Sequence, residues 1–190
     1  AAQKAMARGE THYTVLDGTA ELKAAIQHKF KHDNGLDFAL NEITAGAGAK
    51  QILYNALMAS VNPGDEVILP AFTYIAAAEV VALLGLTPVL VDVDPCTFNI
   101  DPRKIEAAVS ERTKAVVAVH LFGQACDMEP IMTLADVYHL YVVEDNAQSV
   151  GADYIFSDGR VRKAGTIGHI GTTSFFPSKP LACYGDGGAL

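Results

Sequence analysis

Lys179 stands between Pro177 and Pro180, with Ser174 upstream and the glycine cluster Gly185-Asp186-Gly187-Gly188 just downstream. Lysine ordinarily rides a mobile surface stem. Here the backbone on both sides is held, as suits an ammonium that must be aimed, such as a Schiff-base lysine; a solvated surface lysine is the plainer alternative. Asp145 closes the apolar run Tyr141-Val142-Val143-Glu144 and is followed by Asn146-Ala147-Gln148. It reads either as a helix N-cap after a strand or as an ionised carboxylate set against a protonated pyridine nitrogen. A lysine and a strand-end aspartate are the two groups needed to hold and tune pyridoxal phosphate (PLP). The ε-amine links to the cofactor and then serves as general base for a 1,3-proton shift, while the carboxylate keeps the ring protonated so that electrons drain into it. Gln148 could donate to the phenolic oxygen of such a ring.

Gly46-Ala47-Gly48-Ala49-Lys50 precedes a helical pattern. Backbone amides at a helix N-terminus attract phosphate, so Gly48, Ala49 and Lys50 are candidates for that role, although small residues before a helix are also common packing devices. The spacing is neither that of a P-loop nor Gly-x-Gly-x-x-Gly. The Ser174 hydroxyl could bind the same phosphate. Tyr74, in Pro70-Ala71-Phe72-Thr73-Tyr74, could stack on a pyridine ring, or could be a core aromatic after a strand. His120 reads equally as a satisfied core histidine or a site residue. His169 and the remaining histidines lack metal-ligand spacing, so no metal is expected.

The elements that must position these groups follow from periodicity. Apolar residues at helical spacing (Leu22, Ala25, Ile26, Phe30) predict a helix over 19–32, stopped by Asp33-Asn34-Gly35. Ile43-Thr44-Ala45 reads as a short strand, followed by a helix through Leu53, Leu57 and Met58. Strands are expected at Glu66–Leu69, Pro88–Val93, Ala115–His120, His139–Asp145 and Thr172–Phe176. Helices are expected near Ile75–Leu84, Pro102–Val109 and Met128–Val137, and Arg160 and Arg162 fall in a loop. Near-continuous Val/Ile/Leu strands alternating with helices predict an α/β domain with a mostly parallel sheet covered on both faces, a single domain over 1–190. His120 and Asp145 would lie at the carboxyl edge, where open α/β sheets bind ligands.

Composition narrows the partners. Of 190 residues 50% are hydrophobic, enough for a sizeable core, and the net charge of −8 without a basic run argues against nucleic acid or an anionic membrane. No apolar run approaches the roughly 20 residues of a spanning helix. The three cysteines, Cys96, Cys126 and Cys183, form neither a metal pattern nor a disulfide framework, which with the lack of a signal-peptide layout suggests the cytoplasm. The chain starts without Met, suggesting that it begins inside a longer parent.

From Asn62 to Leu190 the sequence resembles the DegT/DnrJ/EryC1/StrS sugar aminotransferases among the fold-type I PLP enzymes. The resemblance rests on Pro63-Gly64-Asp65-Glu66-Val67-Ile68, Pro70-Ala71-Phe72-Thr73-Tyr74, Thr87-Pro88-Val89, Ala118-Val119-His120-Leu121-Phe122-Gly123-Gln124, Glu144-Asp145-Asn146-Ala147-Gln148 and Ser174-Phe175-Phe176-Pro177-Ser178-Lys179. It implies a three-layer αβα large domain with a seven-stranded sheet. Lys179 would hold PLP, Asp145 would pair with the ring nitrogen, and Gln148 would contact the ring-oxygen side. Ser174 and the backbone of Ala49 and Lys50 would bind phosphate, and Tyr74 would stack on the ring. Some relatives that dehydrate carry histidine at the lysine position, so Lys179 points to transamination: an amino group, usually from glutamate, passed to a keto group of a nucleotide-linked sugar in a homodimer. Before Asn62, Gly9-Glu10-Thr11-His12-Tyr13-Thr14, Glu21-Leu22-Lys23-Ala24-Ala25-Ile26 and Gly48-Ala49-Lys50-Gln51 resemble the aspartate aminotransferase family instead, which suggests a chimera joined near Asn62–Leu69. The family's small C-terminal domain would follow Leu190. Two further readings are therefore a truncated PLP-binding scaffold with little turnover and an amino-acid aminotransferase of the aspartate type.

Overall fold

The computed structural model describes residues 2–190. Their contacts divide at Ala45/Gly46 into two units. The first holds α1 (Ala2–Ala7), α2 (Ala20–Asn34) and a 3₁₀ turn at Leu40–Glu42. Thr19 caps α2, its Oγ1 accepting from the Leu22 amide at 3.2 Å, and Gly35 ends the helix in the left-handed region at φ 68°, as the sequence signals predict. The expected stripe is only partly realised. Ile26 is buried beside Lys23, whereas Leu22 is exposed. The Lys23 stem covers Gly18 while its ammonium reaches Asp17, so a snorkelling lysine takes the place assigned to leucine.

β1 (Ala45–Gly46) crosses the boundary. The second unit continues with α3 (Ala49–Ser60), β2 (Glu66–Pro70), α4 (Ala76–Leu83), β3 (Thr87–Val91), α5 (Pro102–Ala108), β4 (Thr113–Val119), α6 (Met128–Tyr138) and β5 (Tyr141–Asp145). It ends with β6 (Asp153–Ile155), β7 (Val161–Lys163), β8 (Ile170–Ser174) and β9 (Gly188–Ala189). A seven-stranded sheet runs β1-β9-β8-β5-β4-β2-β3. The pairings from β3 across to β8 are parallel, and β9 lies antiparallel to β8. Pro88, which has no amide hydrogen to give, sits in the edge strand β3.

Alternation along the strands sorts side chains to two layers. Val67, Leu69, Val117, Val119 and Val143 pack against Leu53 and Leu57 of α3 and Val80 and Val81 of α4. Ile68, Val116, Ala118 and Val142 pack against Ile105 of α5 and Met128 and Ile131 of α6. Each such side chain contributes about 1.5–3 kcal/mol on burial. The result is the three-layer αβα arrangement with a mostly parallel sheet that the sequence implied.

Two boundaries moved for local reasons. β5 begins at Tyr141 because His139 adopts φ 55° and caps α6 in the left-handed region. The segment holding Arg160 and Arg162 is not all loop: β6 and β7 form an antiparallel hairpin, with Arg162 in β7 and the Phe156 amide bonded to the Arg160 carbonyl at 2.9 Å. From β2 the chain first adds β3 on one side and later β4 on the other, and His120, Asp145 and Ser174 come at the carboxyl ends of β4, β5 and β8. That edge is where ligands bind open α/β sheets.

Candidate active site

No helix follows Asp145. The chain turns instead, and Asp145 Oδ1 accepts from the Ala147 amide at 3.1 Å, so its carboxylate shapes a turn rather than capping a helix. Burial pushes the carboxyl above its ordinary value; the Ala147 amide and the Lys179 ammonium pull the other way without prevailing. Asp145 is thus a half-buried carboxylate whose ionised form lacks enough positive charge around it. Lys179, also half-buried, lies in a turn in which its amide donates to the Phe176 carbonyl at 2.8 Å. The base of its loop is closed by Phe175 N–H to Gly187 and Cys183 N–H to Phe175, at 2.8 and 2.9 Å.

Gln148 takes the Phe122 amide on its Oε1 at 3.1 Å, which leaves its NH₂ group as the donor available to a ligand. Next to Asp145 and Ser174 in the chain stand Asn146 and Thr173. Their Oδ1 and Oγ1 are the buried side-chain atoms that lack a hydrogen-bond partner among the described residues. A buried polar atom without a partner is costly, and here both belong to the strand ends that carry the candidate residues.

The start of α3 has no side-chain cap, so the Ala49 and Lys50 amides are open to an anion. β9 brings Gly188 alongside: a Cβ there would lie 2.8 Å from both the Ala49 nitrogen and the Thr173 oxygen. Gly188 pairs in register with the buried Ser174, so the first residue of α3 and the end of β8 meet at a residue that must be glycine. Ser174 Oγ accepts from the Phe176 amide at 3.2 Å and keeps its proton to give. The Asp186 carboxylate borders the same cradle, 3.2 Å from where a Gly48 Cβ would be.

Tyr74 is exposed, with the Lys50 ammonium 5.4 Å from its ring centroid and bonded to Glu79 at 3.0 Å. The Lys50 side chain is thereby directed to α4, leaving its backbone as its contribution at the helix start. His120 proves to be a fully buried and fully bonded core histidine. Nδ1 accepts from the Cys126 amide at 3.0 Å, so the ring proton is on Nε2 and goes to Glu144 at 2.8 Å. His169 is likewise occupied, accepting from the Val142 amide at 2.9 Å.

One cleft, of about 680 Å³, touches the candidate residues through Lys50, with Gln51, Tyr54 and Glu79 beside it. A cleft of about 930 Å³ lies between α5 and α6, lined by Asp101, Arg103, Glu129 and Tyr154 among others, and none of the candidate residues reaches it. Sequence reasoning missed the Glu144–His120 pair and the glycine cradle. Their only linear signals were the Glu144-Asp145 doublet and the Gly187-Gly188 pair.

Comparison with known proteins bears on this arrangement. A profile of the DegT/DnrJ/EryC1/StrS aminotransferase family matches residues 18–190, so the match starts well before Asn62 and runs unbroken through the segment suspected as a joint. The chain is 52% identical over 145 residues to the UDP-2-acetamido-2-deoxy-3-oxo-D-glucuronate aminotransferase of Pseudomonas aeruginosa, covering 76% of this chain and 38% of that one. A DegT/DnrJ/EryC1/StrS aminotransferase from Brucella abortus superposes with TM-score 0.82 at 37% identity, over 98% of this chain and 48% of its own. NtdA from Bacillus subtilis, solved with bound cofactor PMP, superposes with TM-score 0.78 at 32% identity, over 98% of this chain and 39% of its own. The chain therefore spans less than half the length of these relatives.

Proposed function

The chain belongs to the DegT/DnrJ/EryC1/StrS aminotransferase family, and from that membership we propose that it is the cofactor-binding large domain of a PLP-dependent sugar aminotransferase. Its substrate would be a keto group on a nucleotide-linked sugar, and its amino donor glutamate. The single observation that carries the reading is the placement of Asp145 at the carboxyl end of β5, its Oδ1 held by the Ala147 amide at 3.1 Å, with Ser174 ending the neighbouring strand β8.

The residues fit the cofactor. The cradle of α3 amides, Ser174 hydroxyl and Gly188 suits a phosphate, and an under-neutralised Asp145 suits a protonated ring nitrogen. When bound, PLP supplies a carbon that takes the amino group and a ring that accepts electrons. Asp145 would hold the proton on the ring nitrogen. Lys179 Nζ would hold the cofactor and would be the group placed to move a proton. Gln148 Nε2 would donate to the ring oxygen, and Tyr74 would stack on the ring. The relative from Pseudomonas, named for a UDP-sugar, supports the substrate class. An amino-acid substrate with a second carboxylate would want a free arginine. Arg160 is instead paired with Asp158, and Arg162 donates to the Thr166 carbonyl. We also propose a cytoplasmic homodimer.

A glutamate half-reaction tests the reading. Protein loaded with PLP should lose its visible band on adding glutamate and regain it on adding a nucleotide-linked keto sugar. A band indifferent to glutamate would favour a scaffold without turnover, and aspartate outcompeting every nucleotide sugar would favour the amino-acid reading.

A further inference from the structure

Glu144 occupies the face of β5 opposite Asp145, fully buried. Each of its oxygens accepts two hydrogen bonds. Oε1 takes the amides of Ile167 and Gly168 at 2.6 and 2.5 Å, and Oε2 takes His120 Nε2 and the Gly165 amide, both at 2.8 Å. Burial alone would raise this carboxyl, but the His120 hydrogen bond and the Gly168 and Gly165 amides outweigh it and hold it below the ordinary value. A buried ionised group is seldom kept for stability, since apolar residues of the same volume often serve as well. What it connects is therefore informative.

His120 leads from Glu144 straight to the site. Its ring is fixed between Glu144 and the Cys126 amide, its backbone N–H donates to the Asp145 carbonyl at 3.0 Å, and its carbonyl accepts from Ser149 Oγ at 2.9 Å. The loop that Glu144 grips on its other side also holds the turn, because the Ala164 carbonyl accepts from Asn146 Nδ2 at 2.8 Å. Glu144 thus ties the end of β4 and the loop before β8 to both ends of the segment Asp145–Ser149. We propose that Glu144, acting through His120 and the Gly165–Gly168 amides, is a positioning residue that fixes the turn aiming Asp145 and Gln148 at the cofactor. This rests on the reading of Asp145 as the partner of the PLP ring nitrogen.

Glu144→Gln tests it, because the amide keeps the shape but turns a donor toward donors. In cofactor-free protein, hydrogen exchange at Asn146–Ser149 and Gly165–Gly168 should speed by about tenfold or more, with Val67–Leu69 unchanged. With PLP, the dissociation constant should rise about tenfold and the pH midpoint of the visible band should move in the same direction as in Asp145→Asn. Ile105→Val, a loss of packing under α5, should cost stability and move neither readout. If Glu144→Gln does not fold, His120→Gln, which keeps a donor to Glu144, should fall between wild type and His120→Ala in both. Wild-type exchange at the turn with an unshifted midpoint, in a folded Glu144→Gln or in both His120 variants, overturns the proposal. If the wild type binds no PLP, the cofactor reading fails, and the exchange measurement alone decides whether Glu144 fixes the turn.

Discussion

Asp145 and Glu144 are neighbours in the chain with opposite ionisation behaviour. Asp145 has a folded-state pKa above its ordinary 3.8, so the native state binds its proton more tightly. Stability from this group is full below about pH 3.8 and declines as pH rises through the raised value. Asp145→Asn should therefore stabilise the cofactor-free protein near neutral pH, while weakening PLP binding at least tenfold. A thermal melt and a PLP titration check the two halves, and a variant that lost both would show Asp145 to be structural. Glu144 runs the other way, held below its ordinary 4.5. Its contribution is present above that value and lost as pH falls through the lowered one, so Glu144→Gln should flatten the acid limb of stability between about pH 4.5 and that point. Lys179 and Asp145 stand out as candidates in the sequence because residue type and neighbours suffice to suggest their chemistry. The role of Glu144 was not, since an apolar strand ending in two carboxylates does not say which one turns inward. That depends on amides some twenty residues further on.

Elements with a strong period were read correctly. The helices and parallel strands of the second unit were placed within one or two residues because Val, Ile and Leu recur there without a competing signal. β9 has two residues, Gly188 and Ala189, and no period to read, yet it closes the cradle proposed for the phosphate. Gly188→Ala would set a methyl 2.8 Å from the Ala49 nitrogen and the Thr173 oxygen, both backbone atoms with little freedom to yield. The expected cost is about 1–3 kcal/mol in stability, with PLP phosphate affinity falling more than that of pyridoxal lacking the phosphate. Equal losses for both ligands would place the damage outside the cradle. The hairpin of β6 and β7 was missed because its short strands are mostly polar or exposed, so neither carries alternation.

The whole chain carries a net charge of −8 and a pI near 5.1, and it spans less than half of its relatives. Phe72, Phe98 and Phe122 stand exposed and in mutual contact, with ring centroids 5.4 and 6.4 Å apart. Phe98 and Phe122 hold φ of 60° and 56°, a region rare for bulky side chains. With charge repulsion gone, such a patch promotes association. Light scattering should therefore peak near pH 5 and fall by pH 8, and Phe122→Ser should lower the peak. A profile flat in pH would mean that the patch does not drive association.

In the proposed enzyme Lys179 would carry the cofactor that Asp145 tunes. The most direct measurement is a visible spectrum with added PLP, for wild type and Lys179→Ala, followed by borohydride reduction and peptide mapping. A band is expected in wild type, none in Lys179→Ala, and a reduced adduct on the peptide that contains Lys179. A folded wild-type protein without the band, or a band that survives Lys179→Ala, would contradict it.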